Sequence, residues 1–316
     1  MNKRILSVML VAIVASGCGN RKAEQFKALP FPDIQLPAVI QTEQAALDYM
    51  AEHFWDNLTE TSRTYPCDSV HVSGVSKDAV EQKFANWLYL IEKVDLKTAE
   101  KSVRRLCSRA IACEKADTSS NVLNTVTFLA DKYLYNPNSP LRNEEFYLYF
   151  ASAFASFDGF SDEERDRYSF QAEGCSLNRI GQKAADFRFT DNRGKTYTLH
   201  GIDSPYVLLF FSNPGCEACL NIINMLKSDQ KVEMMTREGM LTVLNIYIDE
   251  DLQGWKDYMT VYPKEWYNCF DPDLAIRTDN LYNVRAIPSL YVLDKEKRVI
   301  LKDAPEQKVL SYLTEL

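Results

Sequence analysis

The chain has 316 residues, a net charge of −8 and 46% hydrophobic residues, with 12% aromatics. This hydrophobic content is sufficient for packed cores, so the composition excludes a disordered chain. Lysine and arginine are not clustered, which argues against nucleic-acid binding, because nucleic-acid-binding proteins need a basic face. With roughly 300 residues left after an N-terminal leader, the chain is predicted to form two domains of ordinary size.

Residues 1–17 have the pattern of an export signal. Two positive charges in residues 1–4 precede an almost wholly apolar run over residues 5–14 and the small residues before Cys18. The run is shorter than the roughly 20 apolar residues of a transmembrane helix, and this pattern is that of a secretory signal. It resembles a bacterial lipoprotein signal peptide, which implies that Cys18 is lipid-modified; the alternative is an ordinary signal peptide cut near Gly17.

The leader predicts where the protein resides. A multiply acylated Cys18 would anchor the chain stably, because each buried methylene contributes about 0.8 kcal/mol to membrane binding. We therefore expect a lipoprotein of the cell envelope that faces the periplasm, on either the inner or the outer membrane. Such a location permits disulfides.

Two segments of different character follow the leader. Residues 18–41 are predicted to be a tether, since Pro30, Pro32 and Pro37 keep the chain extended. Residues 42–175 are predicted to form an all-α domain, because apolar residues recur there at helical spacing and no long strand alternation is present. Helical patterns begin near Ala46, Val80, Ala99, Val122 and Phe146.

The hydrophobic pattern changes in residues 176–316. Residues 207–211 and 241–248 are continuous apolar runs, as expected of buried parallel strands. Helical stretches follow each run, and residues 290–301 are predicted to form a hairpin before a terminal helix. The order of elements predicts an α/β domain with a thioredoxin-like fold, in which helices flank a central sheet.

Cys216 and Cys219 form a C-x-x-C motif between a buried strand and the start of a helix. The positive end of the helix favours the thiolate of Cys216, which is the nucleophilic form. We predict that Cys216 attacks a substrate disulfide and that Cys219 resolves the mixed disulfide, without a further cofactor. Alternatives are half of a zinc site, a static disulfide, or a fold that has lost turnover; no second C-x-x-C supplies the other zinc ligands.

A second motif precedes the predicted hairpin, at Ala286-Ile287-Pro288-Ser289. Together with the C-x-x-C and the text around Ile180, it resembles a TlpA/ResA-type thioredoxin-like domain over residues 180–316. The resemblance implies a cis bond before Pro288, a catalytic role for Cys216, Cys219 and Pro288, and substrate contacts at Ile287, Gly215 and Glu217. The helical region resembles the domain of unknown function that precedes such modules in lipoproteins of Bacteroidota, and this implies no chemistry.

Several positions depart from the family pattern. Gly215 stands where a Trp is usual, Ala218 replaces a Pro, and Phe210 occupies the position of a buried acid. The proton acceptor for Cys219 is therefore unidentified. Glu217 should disfavour the thiolate of Cys216, and its presence in the motif resembles the reductants of the ResA-like group, which favours a reducing role.

With Cys18 assigned to the lipid and Cys216 and Cys219 to the C-x-x-C, an odd number of the eight cysteines remains, so at least one is expected to be a free thiol; they are Cys67, Cys107, Cys113, Cys175 and Cys269. Cys67 and Cys175 are candidates for a bridge between the domains.

The leading functional hypothesis is an exported thiol–disulfide oxidoreductase that reduces or isomerises disulfides of envelope proteins and is recharged by an upstream thiol donor. The alternative is a non-catalytic binding module, in which the helical domain captures an envelope partner on a thioredoxin-fold scaffold.

Overall fold

The computed structural model describes residues 26–62, 65 and 68–316. The predicted signal peptide, Cys18 and Cys67 lie outside the described residues. The N-terminal helices are α1 Glu43–His53, α2 Lys77–Ile91, α3 Leu96–Ala116, α4 Val122–Ala130, α5 Glu144–Ala155 and α6 Asp162–Ser176. The last of these helices ends at Ser176, so it crosses the predicted boundary between residues 175 and 176.

Side-chain caps set where these helices begin. Thr42, Ser76, Asp95 and Asn143 each accept a hydrogen bond from a main-chain N–H in the first turn. Such caps satisfy amide groups that have no partner within the helix. Ser161 at the start of α6 forms a reciprocal capping box with Glu164.

An aromatic core holds the helical domain together. Phe84 and Trp87 of α2 are fully buried with ring centroids 5.7 Å apart, and Phe150 of α5 packs against both. The indole Nε1 of Trp87 donates to the carbonyl of Ala51, 2.9 Å away, so the buried polar atom is satisfied. The apolar positions that predicted α1, α2 and α5 thus lie in this shared core.

The domain is helix-rich, as predicted, and contains one short hairpin in addition to its helices. A short hairpin joins β1 His71–Val72 to β2 Val75–Ser76. Gly74 permits the tight turn because its φ is +79°, a conformation that favours glycine. Strands of two residues are too short to produce a detectable alternation in the sequence.

Part of the predicted tether contacts the helical domain, which a free spacer would not do. The main-chain N–H of Leu29 donates to the carbonyl of Gly74, 2.8 Å away, and Phe31 packs against Phe54 and Trp55. Residues near Leu29 and Phe31 are therefore part of the helical domain's surface rather than a free spacer. The physical reason is that the apolar side chain of Phe31, between Pro30 and Pro32, buries surface against the two aromatic residues just beyond α1.

The C-terminal domain is built on a seven-stranded sheet in the order β4-β3-β7-β6-β5-β8-β9. Its strands are β3 Arg188–Asp191, β4 Thr196–Thr198, β5 Tyr206–Phe211, β6 Leu241–Tyr247, β7 Tyr267–Phe270, β8 Ser289–Leu293 and β9 Val299–Leu301. Strand β5 lies parallel to β6 and antiparallel to β8. The predicted thioredoxin-like architecture, a central mixed sheet flanked by helices, is confirmed.

Helices cover both faces of this sheet. They are α7 Glu217–Ser228, α8 Gln230–Arg237, α9 Leu252–Asp257, α10 Ala275–Thr278 and α11 Glu306–Glu315. Alternate residues of β5 point to opposite faces, so Leu208 and Phe210 join one core with α7 and α11, whereas Leu209 and Phe211 join the other. This burial on both faces explains the continuous apolar run of β5.

Candidate functional site

Cys216 and Cys219 lie at the point where β5 gives way to α7. Cys216 is the N-cap of α7, and its sulfur accepts a hydrogen bond from the main-chain N–H of Cys219 at 3.1 Å. The two residues form a disulfide with their Cα atoms 5.2 Å apart. Cys216 is half-buried and Cys219 is buried, so the first sulfur is the accessible one.

The loop before Cys216 leaves the dithiol uncovered. Gly215 has a φ of +71°, and no atom lies within 4 Å of where its Cβ would be. Glycine is therefore needed here for backbone conformation rather than for space. Gly215, Glu217 and Ala218 are all exposed, so solvent reaches the disulfide from this side.

Charged and polar partners hold the start of this loop. The amide of Asn213 donates to Asp249 Oδ2 at 2.7 Å, and Arg277 pairs with the same carboxylate. The main-chain N–H of Cys216 in turn donates to the carbonyl of Asn213. The loop is thereby anchored to the segment that follows β6, which sequence reasoning did not identify.

Phe210 fills the position of the missing acid. Its side chain is fully buried in the same core as Cys219. Beside it, Ser212 donates to Asn245, whose amide donates to Asn268 at 3.0 Å. This network consists of one hydroxyl and two amides, which are poor proton acceptors, so it does not replace the carboxylate.

The cis-proline loop lies immediately before β8. The peptide bond between Ile287 and Pro288 is cis, as the motif predicted. Both residues are half-buried, and Ile287 packs against both cores of the domain. The next residue, Ser289, donates its hydroxyl hydrogen to Asp303 Oδ1, 2.7 Å away.

A buried ionic cluster ties this loop to the helical domain. Glu144 Oε1 accepts hydrogen bonds from Arg285 Nε at 2.8 Å and from Asn283 at 2.6 Å. Lys302 Nζ lies 3.0 Å from Glu144 Oε2, and Arg285 also donates to Asp303 Oδ2 at 2.7 Å. We call Glu144, Arg285, Lys302 and Asp303 the interdomain cluster. Its members link α5 to the residues on either side of Pro288.

Burial and charge act in opposite directions on the titration of this cluster. Burial raises the pKa of the Glu144 carboxyl above its ordinary value, whereas Lys302 and Arg285 oppose that rise. Burial alone would lower the pKa of Arg285, but Glu144 and Asp303 raise it above its ordinary value. Sequence analysis missed the cluster, because the adjacent acids Glu144 and Glu145 have the pattern of ordinary charges in a first helical turn.

A cleft of about 580 Å³ opens between the two domains beside the dithiol. Its thioredoxin-side wall contains Ala218, the cis-proline loop and the start of α11. Its other wall belongs to the helical domain and contains Tyr89, Glu92, Pro137, Asn138, Pro140, Leu141 and Arg142. Of the predicted site residues, Ile287 and Pro288 line this cleft, and Ala218, between the two cysteines, is the residue of the C-x-x-C that reaches it.

The remaining described cysteines are poor candidates for exchange. Cys107, Cys113, Cys175 and Cys269 are free and buried. Burial raises the pKa of the Cys269 thiol to about 12 and also raises the pKa of the other three. Because the thiolate is the reactive form, these side chains are chemically inert. Cys175 is a free thiol, which argues against its pairing with Cys67.

Residues 26–62, 65 and 68–316 contain neither a metal-binding cluster nor a membrane-spanning helix. In that part of the chain, no group of three or more His, Cys, Asp or Glu side chains is arranged to hold a metal ion. Helices long and apolar enough to cross a bilayer are likewise not found there.

The dithiol at a helix start, the facing cis-proline loop and the central sheet define a thioredoxin-like domain. A family model described as thioredoxin-like matches residues 204–299. A model described as a domain of unknown function, DUF5106, matches residues 14–178. The chain belongs to this DUF5106 family and joins its helical domain to a thioredoxin-like domain, as the resemblance in the sequence predicted.

A solved structure agrees with this assignment over most of the chain. The crystal structure of a thioredoxin-like protein from Bacteroides caccae is 35% identical, covers 92% of this chain and 99% of its own, and gives a TM-score of 0.79. The C-terminal domain of an uncharacterized protein from Bacteroides fragilis is 47% identical over 43% of this chain and 98% of its own, with a TM-score of 0.42. No curated protein matches the chain.

Proposed function

We propose that this protein is an exported thiol–disulfide oxidoreductase. The observation that carries the proposal is the Cys216–Cys219 disulfide, which caps α7 and lies beside the cleft that Pro288 lines. The helix N-terminus stabilises a thiolate at Cys216. The accessibility of the first sulfur and the burial of the second suit an attacking and a resolving cysteine, respectively.

In each turnover of the proposed reaction, the Cys216–Cys219 dithiol is oxidised and one substrate disulfide is reduced. The Cys216 thiolate attacks one sulfur of a substrate disulfide, which forms a mixed disulfide and releases the first substrate thiolate. Cys219 attacks the Cys216 sulfur, which releases the second substrate thiolate and closes the Cys216–Cys219 disulfide, and the proton of Cys219 passes to one of the released substrate thiolates. Two electrons pass to the substrate, so an external dithiol donor must return two electrons to the protein after each turnover.

The compartment and direction are part of the same proposal. Cys18 would carry the lipid that anchors the protein to a membrane of the cell envelope, and the substrates would be disulfide-containing envelope proteins. The resemblance of the Glu217-containing motif to ResA-like reductants supports a reducing or isomerising role. The reduction potential of the Cys216–Cys219 couple distinguishes the roles, with values near about −270 mV for a reductant and about −120 mV for an oxidant.

Mutation of each cysteine tests the proposal with the insulin-reduction assay. Cys216→Ser should abolish activity, because it removes the attacking thiolate. Cys219→Ser should instead accumulate mixed disulfides between Cys216 and the substrate. Ser228→Ala, at the exposed end of α7 away from the dithiol, is the control and should leave the rate unchanged. An unchanged rate in Cys216→Ser would contradict the proposal and favour a non-catalytic binding module.

A further inference from the structure

The cleft beside the dithiol does not end at the cysteines. A second cavity of about 300 Å³ lies along α7, lined by Asn221, Ile222 and Met225. The two cavities share lining residues, among them Ala218 and Pro288. They therefore form one groove that passes Ala218 of the C-x-x-C motif, with the helical domain along one part and α7 together with Glu306 and Gln307 of α11 along the other.

The wall from the helical domain is held in place by defined contacts. The Arg142 guanidinium donates to the carbonyls of Asp303 and Ala304, at 3.0 and 2.9 Å. Lys308 of α11 lies 2.8 Å from Glu92 at the end of α2. Together with the interdomain cluster, these contacts fix Tyr89 and Leu141 opposite the cis-proline loop, so the groove exists before a ligand arrives.

The charges that line the interdomain part of the groove cancel. Glu92 pairs with Lys308, and the charge of Glu306 is opposed by that of the neighbouring Arg142. The remaining surface is largely apolar, since Tyr89 is 55% exposed and Leu141, Ile287 and several prolines line the cavity beside it. A ligand that carries net charge next to its reacting sulfur gains nothing from this surface, whereas apolar side chains gain contact area.

We propose that the helical domain is a specificity element, whose Tyr89 and Leu141 bind apolar, uncharged residues that adjoin the disulfide of a polypeptide substrate. This inference rests on the proposed oxidoreductase function and names the class of its substrate. The occupant is a polypeptide segment, because a molecule that reaches the dithiol and fills both cavities must extend on either side of its sulfur. A small disulfide reaches Cys216 without contacting the helical domain.

Three substrates, tested with the full-length protein, distinguish binding in the groove from the reactivity of the dithiol itself. The first probe is a synthetic peptide with one internal disulfide and leucines beside each cysteine. The second is the same peptide with glutamates in place of the leucines, and the third is 2-hydroxyethyl disulfide. The wild-type protein should reduce the leucine peptide at least about tenfold faster, by kcat/KM, than the glutamate peptide, which is the discrimination that a few apolar contacts provide.

Substitutions in the helical domain then test which side chains cause the preference for the leucine peptide. The double variant Tyr89→Ala, Leu141→Ser should lose about tenfold in kcat/KM with the leucine peptide and retain its rate with 2-hydroxyethyl disulfide. Tyr89→Phe keeps the apolar ring and should behave as wild type. Phe170→Ala removes an exposed aromatic side chain of the helical domain that does not line the groove, and it should change neither rate.

Each other outcome has a distinct meaning. Equal wild-type rates for the leucine and glutamate peptides would overturn the inference, as would an undiminished rate of the double variant with the leucine peptide. An equal loss with 2-hydroxyethyl disulfide would also overturn it, since the substitutions would then act on the dithiol itself. If the wild-type protein failed to reduce 2-hydroxyethyl disulfide, that result would instead contradict the proposed oxidoreductase function.

Discussion

Two ionic clusters of similar composition differ in their surroundings. In the interdomain cluster, the side chains of Glu144, Arg285 and Lys302 are 1%, 8% and 2% exposed. In the helical domain, Asp56 is bound by Arg105 and Arg109, and these side chains are 20%, 33% and 28% exposed. Water can replace a lost partner in the second cluster but not in the first. The same salt-bridge chemistry is therefore structurally essential in one place and only helpful in the other.

Removal of Glu144 should have the largest effect. Glu144→Ala leaves Arg285 and Lys302 buried with fewer counter-charges, and breaking a buried ion pair in this way typically costs about 3–5 kcal/mol. Urea titration should show that loss in the free energy of unfolding. Glu163→Ala, at an exposed position in the first turn of α6, is the matched control and should stay within about 0.5 kcal/mol of wild type. If Glu144→Ala changed the free energy of unfolding as little as Glu163→Ala, burial would not distinguish the two clusters.

A smaller effect is expected from Asp56. Arg105 donates to both oxygens of its carboxylate, at 2.8 and 2.6 Å, and this contact links the end of α1 to α3. Asp56→Asn should lower the free energy of unfolding by only about 1 kcal/mol, because the side chains are partly solvated. The same urea titration checks this value. A loss as large as that of Glu144→Ala would show that exposure does not separate the two clusters.

The smallest effect is the pH dependence of the Asp56 contribution. Burial would raise the pKa of the Asp56 carboxyl, but hydrogen bonds from Arg105 and His53 lower it below its ordinary value of 3.8. Since the folded pKa is the lower one, the stabilisation is complete above the unfolded pKa and is lost as the pH falls through the folded pKa.

Urea titrations at a series of pH values test this sign. The difference in unfolding free energy between wild type and Asp56→Asn should shrink as the pH falls below about pH 4. The control is Asp162→Asn, whose carboxylate is highly exposed at the start of α6. A difference that grows on acidification would contradict the assigned direction of the pKa shift.

The sequence predicted the elements whose signals are local. The apolar run of β5, the helix that starts at Cys216 and the cis bond before Pro288 each follow from short motifs, and the structure contains them. Strand β7 and helix α8 were not predicted, because Tyr267–Phe270 mixes polar and apolar residues without alternation, and α8 is short. Glu144 shows the other limit, since its burial depends on contacts with residues more than a hundred positions away.

A side chain of the thioredoxin-like domain, Lys302, caps the C-terminal end of helix α6. The Lys302 ammonium donates to the carbonyls of Cys175 and Leu177, which lie at the end of α6 and just beyond it. A helix end leaves its last carbonyls without partners in the helix itself. Division of the chain between residues 175 and 176 would therefore remove this cap from the end of α6 and leave the buried Lys302 ammonium without Cys175 and Glu144 as partners. The two domains have separate sequence patterns, but because of these hydrogen bonds we expect them to unfold together.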